Sequence, residues 1–215
     1  MRSYNSALSP RGMPDRFPSW RDYREYGGGG VTDWGAHHFD IAQWGLGMDQ
    51  SGPLEIVPSE DPATGNGVKL VYAGGTEVIH GGGDGVTFIG TDGEIYVSRG
   101  KLESKPADII QEPIADDEIH LYQAPGGSHT GHRQDWINCI RRRSQPNCPS
   151  EVGARSVAVC HLVNIAYLHS NELAGQSLKW DPVHWEFVGN DKANSWQDYP
   201  YPRRKGYESP EGFPG

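Results

Sequence analysis

An α+β fold is what this sequence predicts: an open, mostly antiparallel sheet with helices packed on one face and the other face available for oligomerisation. Three observations predict it. Between Pro53 and Ser98 lie five short β-rich runs, LEIV, VKLVY, TEVIH, VTFI and EIYVS, parted by turns such as AGGT and GTDGE that suit antiparallel hairpins. Helical periodicity appears in three stretches outside this region. Several strands are apolar on both alternating sets, Leu70 with Val71 and Ile95 with Tyr96, so helices are expected on one face and a second subunit on the other.

At 215 residues the chain has room for one domain with appendages. An N-terminal arm is expected over 1–20, a substrate and oligomerisation domain over 21–190, and an extended tail over 191–215. The first helix runs from Asp33 to Leu46, with Thr32 as its N-cap and Gly47 as its stop. The five strands follow, and Lys101 to Gly127 reads as loop with at most one strand. Ser128 to Arg143 is the second helix, its last turn carrying Arg141, Arg142 and Arg143 where cations suit the helix dipole. Glu151 to Ser170 is the third, apolar nearly all round and therefore expected to be deeply buried, with Gly175 closing it. The aromatic, proline-rich remainder from Lys179 reads as one strand and an arm.

Composition narrows the function classes. The 29 glycines and 16 prolines mark a loop-rich but globular chain. A net charge of −9 repels phosphate backbones, so nucleic acid is not an expected partner. No apolar run is long enough for a membrane span, and the first twenty residues lack the apolar core of a signal peptide. A cytoplasmic chain is expected, any export signal of a longer ancestor lying upstream. Three cysteines, Cys139, Cys148 and Cys160, show no C-x-x-C spacing and read as reduced thiols.

The dinucleotide fingerprint G-x-G-x-x-G, the nucleotide loop G-x-x-x-x-G-K-[ST], the zinc helix H-E-x-x-H and the serine elbow G-x-S-x-G are all missing. The strongest constellation is D-W-G-A-H-H-F-D at 33–40. On a helix Asp33 and His37 stand at i, i+4, with Asp40 and Trp44 continuing that face. A carboxylate beside an imidazole is the pattern of a base poised near neutral pH, and Asp33 and His37 are the candidate catalytic pair. The alternative is a histidine that merely satisfies its ring nitrogens in a packed helix. Trp34, Asp40, Trp44 and His132 are the candidate substrate contacts; His38 is expected to be structural or exposed. A divalent metal on Asp33 and His37 is weighed, its third ligand coming from His80, His120, His129 or, in the preferred set, His132.

Four blocks, REYGGGGVTDWGAHHFDIAQWGLGMDQSGPLEI, GHRQDWINCIRRRSQPNC, EVGARSVAVCHLVNIAYL and LKWDP, resemble in that order the C-terminal domain of the glucose-fructose oxidoreductase / inositol dehydrogenase (Gfo/Idh/MocA) family. The likeness covers roughly Trp20 to Asp181. It implies the open sheet, subunit packing through its free face into a homo-oligomer, and a D-x-x-x-H helix that serves sugar or polyol oxidation, its aspartate falling on Asp33 and its histidine on His37. It also implies a preceding Rossmann domain and an E-K-P segment, and these 215 residues contain neither. Met1 falls in what would be the interdomain arm, which fits a truncated gene and a genuine short product alike.

NAD(P) is therefore not expected on this chain alone. The reading favoured by sequence is a carbohydrate-processing hydrolase or lyase that kept the Asp33/His37 pair and lost the redox step, cleaving glycosides or keto-glycosides. The alternatives are the substrate-binding half of a NAD(P)-dependent sugar or polyol oxidoreductase, served by a Rossmann partner, and a non-catalytic sugar-binding or assembly module.

Overall fold

The computed structural model describes residues 21, 27–115, 118 and 131–197. Two abutting helices open it, α1 (Gly30–Asp33) and α2 (Gly35–Gly45). Six strands follow: β1 (Glu55–Val57), β2 (Lys69–Val71), β3 (Glu77–Ile79), β4 (Val86–Ile89), β5 (Glu94–Ser98) and β6 (Lys101–Lys105). Then come α3 (Gly131–Arg142), α4 (Ser150–Leu168), α5 (Ser170–Leu173), β7 (Leu178–Asp181), β8 (Glu186–Phe187) and α6 (Asp191–Ser195). The α+β class and the antiparallel pairing hold, and each of the five β-rich runs forms a strand. At the β2–β3 turn Gly74 takes φ +84°, open to glycine at no steric cost, while the Tyr72 amide donates to the Thr76 carbonyl.

The strands divide into two sheets where one was expected. β3-β2-β1-β7-β8 form the larger and β4-β5-β6 the smaller. The break falls on the GGGDG run at 81–85, which has almost no side chains to carry register from β3 into β4. Lys101 to Lys105 is the one strand allowed for the 101–127 segment, paired along its length with β5. Two further expectations are corrected. The tail is not an arm throughout: β8 hairpins onto β7, and residues 191–195 are helical, Asn190 accepting from the Ala193 amide as N-cap. The N-cap of the first helical segment is Gly29; Thr32 sits inside α1, where its hydroxyl donates to the carbonyls of Gly27 and Gly29. Gly47, at φ +67°, does stop α2. Ser128 to Thr130 of the second predicted helix lie outside the described residues.

The core lies between the larger sheet and α4. Val78, Leu70, Ile56 and Leu178 stand in one register row across β3, β2, β1 and β7, with Trp180 opposite Phe187 on the next rung. Onto them pack Val159, Leu162, Val163 and Ala166 of α4 and Phe39 of α2. The sheet's other face is mixed: Val57, Val71 and Ile79 alternate with Glu55, Lys69 and Glu77, and Lys69 pairs with Glu77 at 3.0 Å. In the smaller sheet Val86, Phe88, Ile95, Val97 and Leu102 share one face, and no strand residue is fully buried. Phe88 meets α2 at Gly45, where a Cβ would fall 2.5 Å from its ring.

All three cysteines are free, Cys139 and Cys160 buried and Cys148 exposed. Among the described residues no helix is long and apolar enough to cross a membrane.

Candidate functional site

The glycine run leads directly into the helix that carries the predicted pair. Its extended, positive-φ backbone at Gly28 and Gly29 lets the chain lie flat against α4, where the Asn164 amide donates to the Gly28 carbonyl at 2.8 Å. The run's carbonyls are thus taken up by Thr32 and Asn164. Its helix, α1, is four residues long.

Asp33 ends α1 and His37 lies in the first turn of α2. No hydrogen bond joins them among the described residues. The Asp33 carboxylate instead accepts from the Arg21 guanidinium at 2.6 Å, an ion pair in which both side chains are partly exposed. A carboxylate already held by a guanidinium has less to offer an imidazole one turn away, and His37 is left exposed. Its ring meets the edge of Trp34, with centroids 6.3 Å apart and planes at 61°. Trp34 in turn lies under the Arg99 guanidinium at 4.8 Å, which brings the β5–β6 turn to the head of α2.

Asp40 faces α4, accepting from the buried Ser156 hydroxyl at 2.5 Å. This bond ties the two helices together. Asp40 also lies near Asp49, whose carboxyl is pushed up first by burial and then by the Asp40 charge. Cys148 is raised by burial and by both carboxylates. Trp44 is exposed at the far end of α2, and His132 is exposed on α3; among the described residues neither is hydrogen-bonded to Asp33 or His37. His120 and His129 lie outside the described residues. Among the described residues no group of three or more histidine, cysteine or acidic side chains is arranged to hold a metal ion.

Two cavities flank the first helices. A cleft of about 790 Å³ between α2 and the β3–β4 region is lined by Trp34, His38, Phe39, His80 and Tyr96 among others. His38 thus faces a cavity rather than packing or solvent alone. His80 stacks on Phe39, its Nδ1 lies 2.8 Å from the Tyr167 hydroxyl, and burial holds it below the ordinary imidazole value. A groove of about 460 Å³ runs along α4, with Gly28 at one end. Asp33 and His37 line neither cavity; His37 is exposed and Asp33 partly so.

Sequence reasoning missed Arg21 and Arg99, which hold Asp33 and Trp34. Nothing in the spacing points to them, because one precedes the glycine run and the other arrives on a hairpin turn 65 residues after Trp34.

These residues do not make a dinucleotide cradle. The pyrophosphate sites of such cradles use a strand, a glycine fingerprint and a long helix, whereas here the glycine run lacks the fingerprint and opens a four-residue helix.

No curated protein and no solved structure matches the chain. One family model does, over residues 13–208, and its description is oxidoreductase family, C-terminal alpha/beta domain, of the Gfo/Idh/MocA type. That match covers all of the expected 21–190 domain and runs into the expected arm from residue 13 and into the expected tail to residue 208. It also overturns the hydrolase or lyase reading, since the family matched is one of oxidoreductases. Most of the chain, by this match, belongs to that oxidoreductase family as its C-terminal alpha/beta domain.

Proposed function

We propose that the chain is the substrate-side half of a NAD(P)-dependent oxidoreductase acting on a sugar or polyol, with the dinucleotide held by a Rossmann domain that these 215 residues do not encode. The observation that carries this reading is the family match over residues 13–208. The setting of the pair supports it: His37 is exposed and Asp33 partly so, as residues are whose cleft takes its other wall from a second domain.

The chain's own residues supply positioning and proton handling. His37 takes the proton from the substrate hydroxyl as that carbon is oxidised. Asp33, fixed by Arg21, accepts a neighbouring hydroxyl, and the Trp34 ring offers an apolar surface to the substrate's C–H groups. Asp40 acts one step back, holding α2 against α4 through Ser156. No hydride step is assigned to these residues.

The test is to join the full chain to a Rossmann domain of the same family and follow reduced nicotinamide at 340 nm over a panel of sugars and polyols. The chain alone is expected to give no turnover with NAD or NADP. The joined protein is expected to turn over, and His37→Ala to cut kcat/KM by about 100-fold or more. Turnover by the isolated chain, or a joined protein indifferent to His37→Ala, would overturn the assignment.

A further inference from the structure

α4 is apolar nearly all round; the larger sheet covers one side and α1 and α2 pack on the next, while the side away from them is not covered by the described residues. On its other side Ala154, Val157, Ala158, His161, Ile165 and Leu168 floor the 460 Å³ groove, and Trp180, Trp185 and Trp196 help to wall it, with Asn164 and Gln197 at its edge. That volume is within the range of small-molecule sites, about 300–1,000 Å³.

Two of the indoles are fixed from behind. Trp185 lies under the Arg155 guanidinium at 5.4 Å, and Arg155 is itself held by Glu151 at 2.8 Å and by the Pro182 carbonyl at 2.9 Å. Trp196 stacks face to face on His169, centroids 4.0 Å apart and planes 4° from parallel. Trp185 also sits at φ +60°, in the left-handed region that a bulky side chain rarely adopts, a cost that persists where a ring must be held in one place. The polar groups of the lining are an imidazole and two amides. His161 is exposed and has no hydrogen-bond partner among the described residues, and partial desolvation pushes its pKa down. No described residue of the lining carries a formal charge, and the Arg155 guanidinium against Trp185 is already paired with Glu151.

Fixed aromatic rings beside uncharged donors and acceptors suit a molecule with apolar C–H faces and hydroxyl edges. We propose that the α4 groove is a second ligand site, separate from the Asp33/His37 surface, which takes a neutral polyhydroxylated ring such as a pyranose or a cyclitol. The indoles cover the ring faces, while His161, Asn164 Oδ1 and Gln197 meet the hydroxyls. A carboxylate-bearing sugar finds no unpaired counter-charge among the described lining residues, Arg155 being committed to Glu151 and Pro182, and pays desolvation without return.

Calorimetric titration of the full chain with glucose, methyl glucoside and myo-inositol, set against glucuronate and adenosine, tests this. Saturable binding of a neutral ring is expected, with glucuronate and adenosine at least about tenfold weaker. Trp185→Gly relieves the backbone at φ +60° and so keeps the fold; it is expected to weaken binding by about tenfold or more, while Trp185→Phe stays within about threefold. His37→Ala is expected to leave this binding unchanged, which separates the groove from the proposed catalytic surface. Absence of saturable binding by the neutral rings, tighter binding of glucuronate or adenosine, or loss in His37→Ala with Trp185→Gly unaffected would overturn the proposal.

Discussion

The larger and smaller sheets are built from the same kinds of residue and held by the same antiparallel pairing, yet only one of them has a core. In β1 and β2 the central residues Ile56 and Leu70 are fully buried between sheet and α4. In β4–β6 the apolar face of Val86, Ile95, Val97 and Leu102 has no long helix laid along it among the described residues; the sheet meets α2 where Phe88 touches Gly45 and where Arg99 covers Trp34. Strand propensity therefore makes a strand, but a long helix of matching apolar width makes a core. Stability should be concentrated in the first sheet.

The largest effect is expected where the two sheets differ most. Leu70→Ala removes a fully buried side chain from the middle of the row and should cost about 2–5 kcal/mol, whereas Val97→Ala on the smaller sheet should cost about 1 kcal/mol or less. Urea unfolding of the two variants measures this directly; equal losses would mean that the smaller sheet is as well packed as the larger.

Gly45→Ala sharpens the contrast at the joint. The new methyl meets the Phe88 ring at a separation no relaxed contact allows, so helix propensity gains little and overpacking costs about 1–3 kcal/mol. Hydrogen exchange is expected to quicken in β4, β5 and β6 while β1 and β2 keep their protection. Uniform exchange through both sheets would join them into one cooperative unit.

The smallest effect is a pH dependence. Burial lowers His80 below its unfolded value, so the unfolded chain binds the extra proton and stability rises with pH through this window. The contribution is complete above the ordinary imidazole value near 6.5 and is lost progressively as pH falls toward the lowered folded value. His161 works in the same direction. His80→Gln should flatten the fall in thermal midpoint between about pH 7 and pH 5; an unaltered slope would assign it to other groups.

Much of the fold was legible. β-Branched runs and glycine turns marked the strands because both signals are local, and the all-round apolarity of residues 151–168 identified α4 as the central helix. The division into two sheets was not legible, since it depends on what the 81–85 glycine run cannot do rather than on a residue that does something. Thr32 misled because a threonine before an aspartate looks like a cap, while the flat glycine approach to α4 moves the helix start to Gly29. At the site, spacing placed Asp33 and His37 on one helical path but could not show that Arg21 would take the carboxylate. The α4 groove was hidden because its walls come from 154–168 and 180–197, and the tryptophans at 180, 185 and 196 looked like an aromatic tail.

Asn164 belongs to two neighbourhoods at once. One end of its amide holds the Gly28 carbonyl, the anchor of the backbone that leads into Asp33, and its side chain borders the α4 groove. A ligand filling the proposed groove would therefore touch the residue that anchors the backbone leading into Asp33, and any coupling between the two places would by thermodynamic linkage act equally in both directions.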